Sequence, residues 1–260
     1  MSLADRVVHQ LRHHHDHLAG IVSGLDDEAL TAPSAATEWR LCDVLSHLGS
    51  GAEISLRPIA AAAAGQAPPE PDNAAVWARY DAASPREQAD WFLAADAAYV
   101  EAVEALGDDQ RESLRVDMGF LPEPVPFVVA GGMRLNEVVL HTWDVEAGID
   151  PTSRLDPEAA GLLLDLLAGP LSFMTRFVAK PESLGVQAAV LAGRFGLHVS
   201  PEGVEVLEET PVAPTATFAG EPEALVRLLA GRLAPTYTPE GVEVTGDVTL
   251  DELRSAFPGY

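Results

Sequence analysis

The chain has one cysteine, Cys42, and one lysine, Lys180, among 260 residues. A lone thiol excludes an internal disulfide framework and a thiolate-rich zinc site. Basic residues are scarce as a class, 16 against 40 acidic ones, which leaves a formal net charge of −24. Such a field repels a phosphate backbone and excludes nucleic acid as a natural partner. Long hydrophobic runs are missing: apolar stretches such as 59–64 and 161–168 fall far short of the roughly 20 residues that cross a bilayer. Residues 1–12 carry charges where a secretory signal needs an apolar run. No G-x-G-x-x-G, P-loop or G-x-S-x-G pattern occurs, so nucleotide binding and serine-hydrolase chemistry have no support. What is present is an apolar fraction of 47%, enough for a packed core. The expectation is an acidic, soluble, cytoplasmic protein with no membrane partner.

The first half reads as helices separated by breakers. Apolar residues at Leu3, Val7, Leu11, Leu18, Val22 and Leu25 follow a 3.6 period. A second helix is expected from near Arg40 to the alanines before Gly65, then a proline-bearing loop over 65–73. Ser84-Pro85 with Glu87 opens a third, over 84–106. Pro122, Pro124 and Pro126 predict irregular chain over 107–126. A fourth helix starts at Phe127 or Met133 and stops at Gly148. Four long amphipathic helices predict a four-helix bundle. After Pro151 the rhythm changes. Asp156-Pro157-Glu158 opens a helix expected to reach Ala179. Short β-like runs follow at 186–191, 195–199, 204–207 and 215–218, with a hairpin at 200–203. A helix over 222–233, a strand over 242–245 and a helix over 250–257 complete the chain. The fold class is therefore α+β: a helical domain over 1–152 and a small α/β domain over 153–260.

Glu137 and His141 stand four apart in the fourth helix and so share one face, the geometry that two ligands of a single metal need. Asp144 is placed to orient the His141 ring. The plainer alternative is an acid–imidazole pair on a solvated face. His47, set among leucines in the second helix, reads either as a core histidine or as a third ligand. Together, His47, Glu137 and His141 would be a two-histidine, one-carboxylate set with an open position, the ligand count of a catalytic site. A rival cluster, His13, His14, His15 and His17, points around its helix and reads mainly as a polar face. Cys42 reads as a small core residue. Of the four tryptophans, Trp143 stands nearest to the histidine in sequence.

Two segments carry a resemblance. Thr37-Glu38-Trp39-Arg40-Leu41-Cys42-Asp43-Val44-Leu45-Ser46-His47-Leu48 resembles the tryptophan-to-histidine segment of the mycothiol-dependent maleylpyruvate isomerase family. Arg134-Leu135-Asn136-Glu137-Val138-Val139-Leu140-His141-Thr142-Trp143-Asp144-Val145 resembles its second motif. Glu38 stands where the family often has glycine. The resemblance implies a DinB-like bundle holding a divalent metal, zinc in the family, through His47, Glu137 and His141. It also implies a C-terminal domain similar to sterol carrier proteins, with mycothiol as the thiol cofactor. Arg232 matches the family's functional arginine and Arg134 is a nearer cation for an anionic substrate, so these two are the candidate catalytic residues. The activity implied is isomerisation of a maleylpyruvate-like unsaturated acid or transfer of the thiol. The competing class is a non-catalytic small-molecule-binding protein that uses an interdomain cleft.

Overall fold

A computed structural model describes all residues except 69, 71, 176–179, 181–186, 201–202 and 260. The protein divides into two compact units, 1–150 and 151–260. The first is helical and the second is built on a sheet, so the class is α+β.

In the first unit the long helices are α1 (Leu3–Ser23), α2 (Leu41–Ala63), α4 (Pro85–Glu104) and α6 (Phe127–Ile149). Their starts follow from local chemistry. Ser2 and Asp5 close a reciprocal cap at 3.1 Å in each direction, and Ser84 with Glu87 does the same behind Pro85. Each such cap satisfies backbone donors that the first turn leaves orphaned. The four helices pack in a ring, α1 and α2 each against both α4 and α6. Leucine, valine and phenylalanine side chains such as Leu11, Leu45, Phe92 and Val139 fill the centre and are fully or almost fully buried. Most of α6 is buried, so side chains it presents toward a site stand on a helix packed along most of its length.

Two short helices depart from the sequence expectation. α3 (Asn73–Asp81) follows directly on the proline loop, and α5 (Asp108–Ser113) lies in the stretch expected to be irregular. α3 buries only Val76 and Tyr80 and leaves Trp77 half exposed, so its sequence carries little periodic signal. The prolines over 122–126 nevertheless permit one two-residue ladder, β1 (Arg115–Val116) against β2 (Val125–Pro126). Pro126 occupies the N-cap position of α6, whose first residue is Phe127.

The second unit opens with α7 (Pro157–Ala168), whose N-cap Asp156 accepts from Ala159 N at 2.8 Å. α7 ends earlier than expected. Gly169 takes a non-helical backbone, and Pro170 cannot donate to continue the ladder. The last four residues of the expected helix, 176–179, lie outside the described residues. β3 (Ala188–Ala192), β4 (Phe195–Ser200), β5 (Gly203–Leu207), β6 (Ala216–Ala219) and β7 (Glu243–Gly246) form one sheet in the order β5-β4-β3-β6-β7. All neighbours are antiparallel except β3 and β6, which are parallel. The register Ser200↔Gly203 shows the hairpin, although its two turn residues, 201–202, lie outside the described residues, as does Val186. α7 packs on β5 and on α8 (Pro222–Leu229), and α9 (Leu250–Ala256) closes the chain.

Candidate metal centre

α2 and α6 pack side by side, and their contact brings together residues ninety positions apart. His47 Nε2 lies 3.0 Å from Glu137 Oε2. His141 Nε2 lies 3.5 Å from the same oxygen. One donor atom from each of the three residues falls within 4.8 Å of the others, and among the described residues this is the group of three acidic, histidine or cysteine side chains that converges in this way. The two imidazoles meet edge to face, with ring centroids 4.8 Å apart.

The protonation pattern follows from the partners. Asp144 is fully buried, and its Oδ2 lies 2.8 Å from His141 Nδ1. An ionised carboxylate only accepts, so His141 donates from Nδ1, which leaves Nε2 as the ring atom that faces the convergence point. Burial pushes the Glu137 carboxyl pKa up. Hydrogen bonds from His141 and His47, reinforced by their charge, outweigh it and hold the group far below the usual carboxylate range. His141 is buried, whereas the side chains of His47 and Glu137 keep 40% and 30% of their exposure. The group is thus seated on one side and open on the other.

Trp39, not Trp143, is the aromatic residue at the site. Its ring stacks on His141 at 5.8 Å and tilts over His47 at 5.3 Å. Trp143 is buried in the core. The loop that carries Trp39 is held by backbone. Ala35 N donates to Asp144 O at 2.9 Å, and Ser34 N donates to Trp39 O at 2.9 Å. Gly148 allows the approach, because a Cβ there would lie 2.8 Å from Pro33 O. Glu38, just before the tryptophan, has φ +69, the only positive φ among the described non-glycine residues. A left-handed backbone costs a residue with a Cβ roughly 1–2 kcal/mol, a cost that glycine at this position would avoid. Glu38→Gly is expected to leave Tm unchanged or raise it, with strain relief offset by about 0.5–1 kcal/mol of chain entropy; a fall in Tm on thermal unfolding would contradict the strain.

Arg134 is placed elsewhere than the open mouth. It is 4% exposed, and its Nη2 donates to Asp96 Oδ1 at 2.7 Å and to Leu48 O at 2.9 Å. The other Asp96 oxygen lies 2.8 Å from His15 Nδ1. Burial raises the Asp96 pKa, but the His15 hydrogen bond and the Arg134 charge bring it below the ordinary aspartate value. One buried polar cluster therefore joins α1, α4 and α6 to the backbone of α2, one residue beyond His47.

The histidine run in α1 splits accordingly. His14 and His15 are buried, while His13 and His17 are exposed, and His17 Nε2 lies 2.7 Å from Glu146. Cys42 is buried, and burial pushes its thiol pKa up, which removes it as a ready nucleophile. Arg232 belongs to the second unit, just past α8, with Nη1 donating to Ala230 O at 3.1 Å. Arg227, which no motif marks, is buried on α8 in a two-bond pair with Glu223 at 2.7 and 3.0 Å. The i,i+4 spacing of the two was the available signal.

Residues 11–146 match the family model described as the mycothiol maleylpyruvate isomerase N-terminal domain, which takes in more than half of the chain. No curated protein sequence matches. Two solved structures resemble the fold. One is the crystal structure of the mycothiol-dependent maleylpyruvate isomerase, 18% identical, with TM-score 0.65 over 100% of this chain and 98% of that one. The other is a histidine-to-alanine mutant of that isomerase, 17% identical, with TM-score 0.64 and the same coverage.

Proposed function

The chain belongs to the mycothiol maleylpyruvate isomerase family, and from that premise we propose that it is a metal- and thiol-dependent enzyme acting on a small unsaturated acid of the maleylpyruvate type. The observation that carries this reading is the convergence of His47, Glu137 and His141 within 4.8 Å. Two imidazoles and one carboxylate suit a divalent ion such as zinc, and three protein ligands leave a position for an exogenous group. When bound, a divalent cation lowers the pKa of a coordinated thiol and keeps it as thiolate at neutral pH.

The chain's own residues have distinct tasks in this reading. Asp144 fixes the tautomer and ring plane of His141. Glu137 brings the negative charge that a cation requires and is ionised throughout the physiological range. Trp39 covers one side of both imidazoles and keeps water from it. Cys42, buried and protonated, is not the thiol, so the sulfur comes from a small molecule such as mycothiol.

The test combines metal analysis with turnover. The purified protein is incubated with maleylpyruvate with and without mycothiol. Isomerisation that requires both metal and thiol is the expected result. Isomerisation indifferent to the thiol would overturn its role. Conjugation of mycothiol to an electrophile without any isomerisation would reassign the site to thiol transfer.

A further inference from the structure

The stretch of α2 just past His47 is weak helix by composition. Gly49 and Gly51 stand in its interior, where glycine gives up more conformational freedom than any other residue. Each makes room for a neighbour. A Cβ at Gly49 would lie 2.9 Å from Phe92 Cα of α4, and one at Gly51 would lie 3.1 Å from Arg134 Nη1. α2 forgoes side chains here, and so α4 and one guanidinium come close to its backbone.

That guanidinium is held from several sides. Arg134 Nη2 donates to Asp96 Oδ1 at 2.7 Å and to Leu48 O at 2.9 Å, using an acceptor position that the α2 ladder leaves spare. Asp96 is itself tied to His15 at 2.8 Å. The guanidinium carbon lies 5.7 Å from the centre of the Tyr99 ring, within cation–π range. One carbonyl earlier, Ser50 Oγ donates to His47 O at 3.1 Å. A simple buried ion pair needs Asp96 alone; it needs neither the bond to α2 nor the missing side chain at Gly51.

Arg134 and Glu137 are three apart on α6 and share a face. α6 therefore meets α2 at two adjacent points, Glu137 on the His47 ring at 3.0 Å and Arg134 on the Leu48 backbone at 2.9 Å. A slide of α2 along α6 by one residue's rise, about 1.5 Å, would pull a ring nitrogen out of a coordination sphere with bonds of about 2.0–2.1 Å. The backbone contact opposes that slide.

We propose that Arg134 is a positioning residue for the metal centre: its bond to Leu48 O fixes α2 against α6, and with it the place of His47 relative to Glu137 and His141. Asp96 and His15 hold the guanidinium for that task, and Gly51 admits it. The inference rests on the metal reading of the three residues and on neither the thiol nor the substrate.

The test separates position from stability. Zinc is titrated into the metal-free full-length protein against a chromophoric chelator, at a temperature where circular dichroism shows every variant folded. Arg134→Met/Asp96→Leu, which buries no charge, should bind zinc about tenfold more weakly, the lower end of the effect of a ligand's outer partner. Val103 is fully buried two turns further along α4, and Val103→Ala should lower Tm and leave the zinc affinity unchanged. Hydrogen exchange of the metal-free protein needs no metal as reporter: amides over 48–55 should exchange faster in the double variant than in Val103→Ala. Where the double variant does not fold, Gly51→Ala probes the same contact, because it strengthens the helix while crowding Nη1. Its zinc affinity should fall several-fold with Tm unchanged or raised. Unchanged affinity in the variant that folds, or an equal loss in Val103→Ala, overturns the proposal. An unmutated protein that binds no zinc would sink the metal reading, and faster exchange over 48–55 would still leave Arg134 as the clamp on α2.

Discussion

His141→Ala is expected to leave the purified protein without bound metal. His141 is the one buried member of the group and the one whose ring is locked, Nδ1 on Asp144 at 2.8 Å. Its removal leaves His47 and Glu137, both part-exposed side chains, to hold an ion alone. The loss should exceed the 10–100-fold in affinity typical of removing a ligand's outer partner. Asp144→Asn supplies that smaller effect, because an amide oxygen still accepts from Nδ1 but no longer raises the basicity of the ring. Elemental analysis and competition with a chromophoric chelator rank the three proteins. His17→Ala, in the exposed part of the α1 run, is expected to bind metal as the unmutated protein does. Full metal occupancy in His141→Ala would remove the basis of the functional reading.

The second large effect concerns folding. Arg134→Met removes the cation from Asp96 and leaves a carboxylate that is 1% exposed facing a single histidine. Breaking a buried pair in this way costs about 3–5 kcal/mol, a large part of the 5–15 kcal/mol that holds a typical domain. All four tryptophans, Trp39, Trp77, Trp91 and Trp143, lie in the first unit, so their fluorescence in urea reports the unit that contains the pair. Arg134→Met/Asp96→Leu, with neither charge buried, should recover much of the loss. A single-variant cost under about 1 kcal/mol, the value of an exposed ion pair, would contradict the burial.

The same cluster sets a pH dependence. Asp96 is held below its ordinary pKa in the folded protein. Its contribution is therefore complete above the unfolded value, near 3.9, and is lost as pH falls through the lower folded value. The unmutated protein should lose stability more steeply below about pH 4 than the double variant. Equal slopes would show that Asp96 is not the group responsible.

Several elements were legible because their causes are local. The Ser84 cap behind Pro85 and the Asp156 cap behind Pro157 are written within four residues of each other. Glu137 and His141 share a face by helix geometry alone. The early end of α7 is local as well, written in Gly169-Pro170 directly after the leucine run. α3 was invisible because a helix with only two buried residues has almost no period.

What the sequence determined by itself is the set of donors and the helices that carry them, since capping, period and spacing act over one or two turns. Only the tertiary structure decided what those donors meet: that His47 faces Glu137 across ninety residues, that Trp39 lies over both imidazoles, and that Arg134 turns inward to Asp96. Those outcomes depend on which sides of α1, α2, α4 and α6 interdigitate. Helix packing is a property of the assembled core, where the burial of one side chain is settled by all its neighbours at once.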